Sequence, residues 1–145
     1  MNQHLTSLAG RLPRATRWSL AGLLVGIVGL VVQAIADPGK FTEAQGAFGG
    51  IPFPPGILFI LAAGVLTVAT SRWRWHPVFA VLIGVWIVGV GALAGFLLPN
   101  LTSANPGTVV GNVVMSVGLI AAAVLGVVAM IAPGRRTVRA GTGRA

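Results

Sequence analysis

The chain has 145 residues, of which 55% are hydrophobic and only 8% charged, with a formal net charge of +8. Mean hydropathy is +0.90. So few charges could not cover the surface of a soluble domain, where about a quarter of residues are charged, so the composition indicates a membrane protein. Cysteine is absent, which excludes disulfides, thiolate metal sites and cysteine nucleophiles. Nine arginines and one lysine stand against two acids, Asp37 and Glu43. The preference for arginine, with abundant Ala, Gly and Val, is the usage expected of a GC-rich bacterial genome.

Residues 1–17 form a basic tail carrying Arg11, Arg14 and Arg17. Four uncharged apolar stretches follow, over about 18–36, 55–70, 78–98 and 108–131. Each is close to the roughly 20 residues that cross a hydrocarbon core about 30 Å thick. In lipid such stretches must be helical, because an unpaired backbone group there costs several kcal/mol. The expected fold is therefore an all-α integral membrane protein, with four transmembrane helices in an up-down bundle over 18–131.

The first stretch ends at "DPGK", since a residue before proline is pushed out of helical geometry. It also resembles a secretory signal, with "AIA" at 34–36 in the place of a cleavage site. Its apolar run lies at or beyond the upper length of a signal core, which weighs against cleavage. Gln33 is its one strongly polar residue. Gly22 and Gly26 form a GxxxG pair, a spacing that lets helices approach closely.

Residues 37–56 form the longest connection. Phe41, Ala44 and Phe48 recur at helical spacing, the pattern of a short interfacial helix. The second stretch, 55–70, is the shortest and contains Thr67, which can bond back to a carbonyl of its own helix.

Between the second and third stretches stands "SRWRWHP", residues 71–77. Alternating cations and aromatic rings are the elements of a single-stranded nucleic-acid platform. A tight turn between two spans is too short to embrace a strand, so nucleic acid is not an expected partner. Arg72 and Arg74 instead suit lipid phosphate. Trp73 and Trp75, like Trp18 before the first span, suit the membrane interface.

The third stretch holds Gly91 and Gly95 as a second GxxxG, and "LPNLTSANPG" separates it from the fourth. The fourth carries Gly107, Gly111, Gly118, Ala122 and Gly126, largely at four-residue spacing. It also carries Asn112 and Ser116, which share a helix face. Asn112 is the most demanding polar residue of the interior, since its amide needs several partners. Residues 132–145, a Gly/Arg tail, are expected to be disordered.

Four spans would put the arginines of 11–17, 72–74 and 135–144 on one side and Lys40 with both acids on the other. That asymmetry predicts a multi-pass plasma-membrane protein with both termini cytoplasmic. Its basic rim would meet anionic headgroups.

No acid, base or histidine falls inside a span, which excludes proton coupling through an intramembrane carboxylate and haem ligation on the helices. No cofactor and no metal site is expected, and no nucleophile–base pair suggests an enzyme. The expected role is a structural or accessory component that associates through helix contacts, as a homo-oligomer or within a larger membrane complex. The alternative is a small oligomeric transporter or channel-like protein, passing a neutral or lipophilic solute along Gln33, Asn112 and Ser116.

Overall fold

The computed structural model describes residues 12–41, 54–95 and 97–132, and these form helices and turns with no strand among them. The remaining ranges include Ala44, Phe48 and the tail over 133–145, so the expectations placed there lie outside the described residues.

Helix α1 spans Arg14–Ala36 and begins with Arg17 N–H donating to the Pro13 carbonyl at 3.1 Å. It therefore takes in Arg14 and Arg17, which composition alone assigned to the tail. It ends at Asp37, ahead of a 3₁₀ turn over Pro38–Phe41. Helix α2 covers Gly56–Ala69 and helix α3 Val78–Leu93. α3 is α-helical over Val78–Val85 and widens to a π-turn over Trp86–Val90. It stops five residues short of the expected boundary at 98, because Gly95 takes φ +75° and turns the chain. Helix α4 is the short Leu97–Leu101 and helix α5 is Pro106–Ile131.

The α5 start is set by "ANPG". Asn105 caps it, its Oδ1 accepting from Gly107 N–H at 3.0 Å, and Pro106 occupies the first turn, where a missing N–H costs nothing. Asn105 Nδ2 also donates to the Ala36 carbonyl at 2.7 Å, so one side chain closes both the end of α1 and the start of α5.

α1 and α5 are both long and apolar enough to cross a membrane. At 1.5 Å per residue their 23 and 26 residues give about 35 and 39 Å. α2, at 14 residues, reaches about 21 Å and is a shorter apolar helix, as is α3.

The bundle is built around an antiparallel α1–α5 pair, the most extensive helix contact in the fold. Glycines set its closeness. A Cβ on Gly22 would stand 2.7 Å from the Gly118 carbonyl oxygen, and one on Gly118 would stand 2.6 Å from Gly26 N. Gly29 likewise faces the Met115 backbone, and Gly111 leaves room for the Gln33 stem. Backbone thus packs on backbone, which maximises dispersion contact between the two helices.

Gly107 meets Ala36 at one end of this seam. At the other, Ser19 Oγ donates to the Ala122 carbonyl at 2.7 Å. α3 packs on α5 through Gly84, which faces Leu119 and Ala123, while Gly126 lies beside Val81. α2 runs antiparallel to α1, with Gly56 near Leu30 and Gly64 near Leu23. Ile57, Ile60, Leu23, Leu30, Met115 and Leu119 fill the space between helices. Gly91 approaches only the Leu97 side chain at the start of α4, and among the described residues nothing lies within 4 Å of a Cβ on Gly95, so this GxxxG forms no close backbone seam of the kind that joins α1 and α5.

Polarity is inverted relative to a soluble domain. Thr16, Ser19, Gln33, Thr67, His76, Thr108 and Asn112 are all buried. Leu24, Val28 and Ile35 of α1 are exposed, as are Phe59 and Val65 of α2, Leu82 and Trp86 of α3, and Val117 and Val124 of α5. Exposed apolar side chains scattered singly would be ordinary; a belt on all four helices is not.

Candidate functional site

The two ends of the bundle differ chemically. At the end where α1 begins, residues 70–77 form a chain of nested turns, with Trp73 N–H donating to the Thr70 carbonyl at 2.8 Å and Val78 N–H to the Trp75 carbonyl at 2.9 Å. Arg72, Trp73, Arg74 and Trp75 point outward and are exposed, as are Arg14, Arg17 and Trp18 of α1. His76 points inward and is buried. Its Nδ1 lies 2.8 Å from the Trp73 carbonyl and its Nε2 3.1 Å from Thr16 Oγ1. A carbonyl can only accept, so Nδ1 carries a hydrogen, and in that tautomer Nε2 accepts from the Thr16 hydroxyl.

The opposite end holds a pocket of about 390 Å³ between α1, α3 and α5, bordered by the Pro38–Phe41 turn and α4. α1 contributes Leu30 and Gln33, α3 contributes Ile87 and Gly91, and α5 contributes Asn112 and Met115. The mouth is edged by Lys40, Phe41, Leu97 and Asn100. This volume falls in the lower part of the roughly 300–1,000 Å³ range of small-molecule sites. The α3 wall includes Ile87, within the π-turn; such turns are rare and concentrate where a helix is shaped for function.

The polar groups in the pocket are under-used by the protein. Asn112 is 1% exposed, yet its Nδ2 has no partner among the described residues. Gln33 Nε2 donates only to the Met115 thioether, at 3.9 Å, a weak acceptor. At the mouth, Lys40 Nζ donates to Asn100 Oδ1 at 2.6 Å and lies 3.8 Å from Asp37 Oδ2. That ion pair is long and about one-third exposed, so it binds the ammonium weakly.

Of the polar candidates in the apolar runs, Gln33 and Asn112 therefore meet at one pocket. Ser116 does not line it, although its Oγ, like Thr108 Oγ1, is buried without a partner among the described residues. Thr108, Asn112 and Ser116 recur every four residues, a polar row along one face of α5. Thr67 stands apart, its hydroxyl donating to the Ala63 carbonyl of its own helix at 2.8 Å. No group of three or more metal-ligating side chains forms among the described residues.

Sequence reasoning missed Thr16, Ser19, Gly29, Lys40, Asn100 and Asn105. For three of these a signal was present: Ser19, Gly22, Gly26, Gly29 and Gln33 recur at alternating spacings of three and four, the seam of a packed helix. Asn105 before Pro-Gly is likewise a helix-start signature. No family model matches the chain, and no curated protein or solved structure matches it.

Proposed function

We propose that the chain is a four-span integral protein of the plasma membrane, with both termini cytoplasmic, acting as a non-enzymatic structural or accessory component. The observation that supports this most directly is the inverted polarity: hydroxyls, amides and glycines inside, Leu, Val, Ile and Phe outside on every long helix. α2 and α3 would cross as the shorter pair, with the bilayer thinned locally around them.

The orientation rests on the charged ends. Arg14, Arg17, Arg72 and Arg74 gather where Thr16 meets His76, with Trp18, Trp73 and Trp75 beside them as interfacial anchors. This rim would face anionic lipid headgroups. Because the glycines of α1 and α5 are spent on each other, association with a second copy or a larger complex would use the apolar outer faces.

The test has two parts. Reporters fused at residues 1, 45, 75, 103 and 145 should place 1, 75 and 145 in the cytoplasm and 45 and 103 outside it; residue 75 outside would overturn the topology. Purification from native membranes in mild detergent should then recover the chain with a stoichiometric protein partner or as a discrete oligomer. A lone monomer would overturn the accessory role.

One observation favours a second role, passage of a small solute. The row Thr108, Asn112 and Ser116 leads from the end of the bundle toward its middle, and Gln33 lines the same pocket as Asn112. Flux of a neutral solute through reconstituted vesicles, lost on replacing Asn112, would support that role over the accessory one.

A further inference from the structure

We propose that the groove between α1 and α2 holds one acyl chain of an anionic phospholipid, whose phosphate is met by Arg17 and Arg72. The site presupposes the membrane placement proposed above and lies at its basic rim. The groove has a volume of about 440 Å³ and is almost wholly apolar, lined on α1 by Leu20, Leu24 and Ile27 and on α2 by Gly64, Val65 and Val68. Gly64 opens it. A Cβ there would meet only Leu23 Cδ1, at 3.8 Å, so α1 and α2 leave space where α1 and α5 leave none.

Length and charge select the occupant. The lining runs from Leu20 to Ile27 and from Ile60 to Ala69, which at 1.5 Å per residue is about 10–14 Å. That is close to half of a hydrocarbon core about 30 Å thick, so a chain entering at the rim stays within its own leaflet. Arg17, Leu20, Leu24 and Ile27 recur at spacings of three and four, which puts Arg17 on the groove face one turn beyond its end. Arg72 follows Ala69, the last lining residue of α2, by three positions. Both arginines are exposed, and among the described residues neither guanidinium makes an ion pair or hydrogen bond. A guanidinium fork matches phosphate, which it binds through two parallel hydrogen bonds. A zwitterionic head would bring an ammonium with it. The one acid among the described residues, Asp37, lies at the far end of α1 beside Lys40 and could not receive it.

The test titrates phosphatidylglycerol, or phosphatidylcholine with the same chains, into the full chain in mild detergent and counts bound lipids by native mass spectrometry. The first phosphatidylglycerol should bind more tightly than those that follow and than any phosphatidylcholine, and should weaken as ammonium acetate is raised. Arg17→Gln and Arg72→Gln should each weaken that first binding about fivefold, the effect of one basic residue on an anionic lipid. Gly64→Leu fills the groove without changing the charge and should weaken it as strongly. Val65→Trp, at the exposed edge of the groove, should do the same without a new side chain at the helix contact. Circular dichroism checks that each variant is folded. Flotation with phosphatidylcholine vesicles tests the membrane placement separately: a chain that does not float overturns that placement and the site with it. A chain that floats but binds both lipids equally overturns the site alone. So does a loss confined to the arginine variants, which would leave attraction to the rim and no groove site.

Discussion

Thr16 Oγ1 and His76 Nε2 meet at 3.1 Å although 60 positions separate them in the chain. The bond ties the turn between α2 and α3 to the first turn of α1, with both side chains buried. It also explains how a segment bearing exposed Arg72, Trp73, Arg74 and Trp75 keeps one conformation: its third aromatic ring, the His76 imidazole, is turned inward and held at both nitrogens. Thr16→Val keeps the shape but leaves Nε2 buried and unpaired, which should cost about 1–3 kcal/mol. Thr16→Ser should retain most of the stability. Thermal unfolding in detergent reads the loss directly, and trypsin should cut faster at Arg72 and Arg74 in the valine variant. Equal cleavage of wild type and Thr16→Val would mean that the bond does not hold the turn.

The α1–α5 seam should tolerate almost no added volume. A Cβ on Gly118 meets Gly26 N at 2.6 Å and the Gly22 oxygen at 2.7 Å, both backbone atoms that cannot swing aside. Gly118→Ala should therefore destabilise by about 1–3 kcal/mol or more, as overpacking does when helices must separate. Gly64→Ala is the matched control, because its Cβ finds only Leu23 Cδ1 at 3.8 Å. That variant should stay within about 0.5 kcal/mol of wild type. Equal unfolding temperatures for the two variants would show that the helices are not held this closely.

Much of the architecture was legible because helices in an apolar chain announce themselves by length and by their breakers. The stops at Asp37-Pro38 and after Thr70, and the glycine spacing of α1 and α5, follow from local rules. What local rules could not supply was pairing across the chain. Gln33 and Asn112 were visible as polar residues in apolar runs, but only antiparallel packing of α1 on α5 brings them to one pocket. Lys40 reads as an isolated charge until the 3₁₀ turn carries it to Asn100. His76 reads as a loop residue because its partner Thr16 lies on another helix. The end of α3 was overextended for a different reason. "GALAGFLL" is apolar throughout, and hydropathy does not reveal that Gly95 takes a left-handed turn.

That turn gives its own prediction. Gly95 has φ +75° with open space around it, so the constraint is the backbone alone and not crowding. Gly95→Ala should cost about 1–2 kcal/mol, the penalty for a side chain in the left-handed region. Gly95→Asn should cost less, since asparagine tolerates that region. Gly89→Ala, within the π-turn and with its nearest neighbour at 3.8 Å, should be close to neutral. An alanine at 95 as stable as wild type would mean that the helix runs on toward residue 98.

Asn112 should show the opposite sign from an ordinary buried residue. Replacing a buried side chain normally destabilises, but the Asn112 amide is 1% exposed and its Nδ2 has no partner among the described residues. Removing an unpaired donor while keeping the volume removes a desolvation penalty of about 1–3 kcal/mol. Asn112→Leu should therefore unfold at a higher temperature than wild type when no ligand is added. Ser116→Ala also removes a hydroxyl with no partner among the described residues, but it leaves that volume empty, so the two effects should offset and the variant should be close to neutral. Ser19→Ala should lose about 1 kcal/mol, because its hydroxyl donates to the Ala122 carbonyl across the seam at 2.7 Å. The three variants separate residues that hold the bundle from one retained for something the bundle does not need. If Asn112→Leu proved as destabilising as Ser19→Ala, the amide would be a packing residue of the bundle.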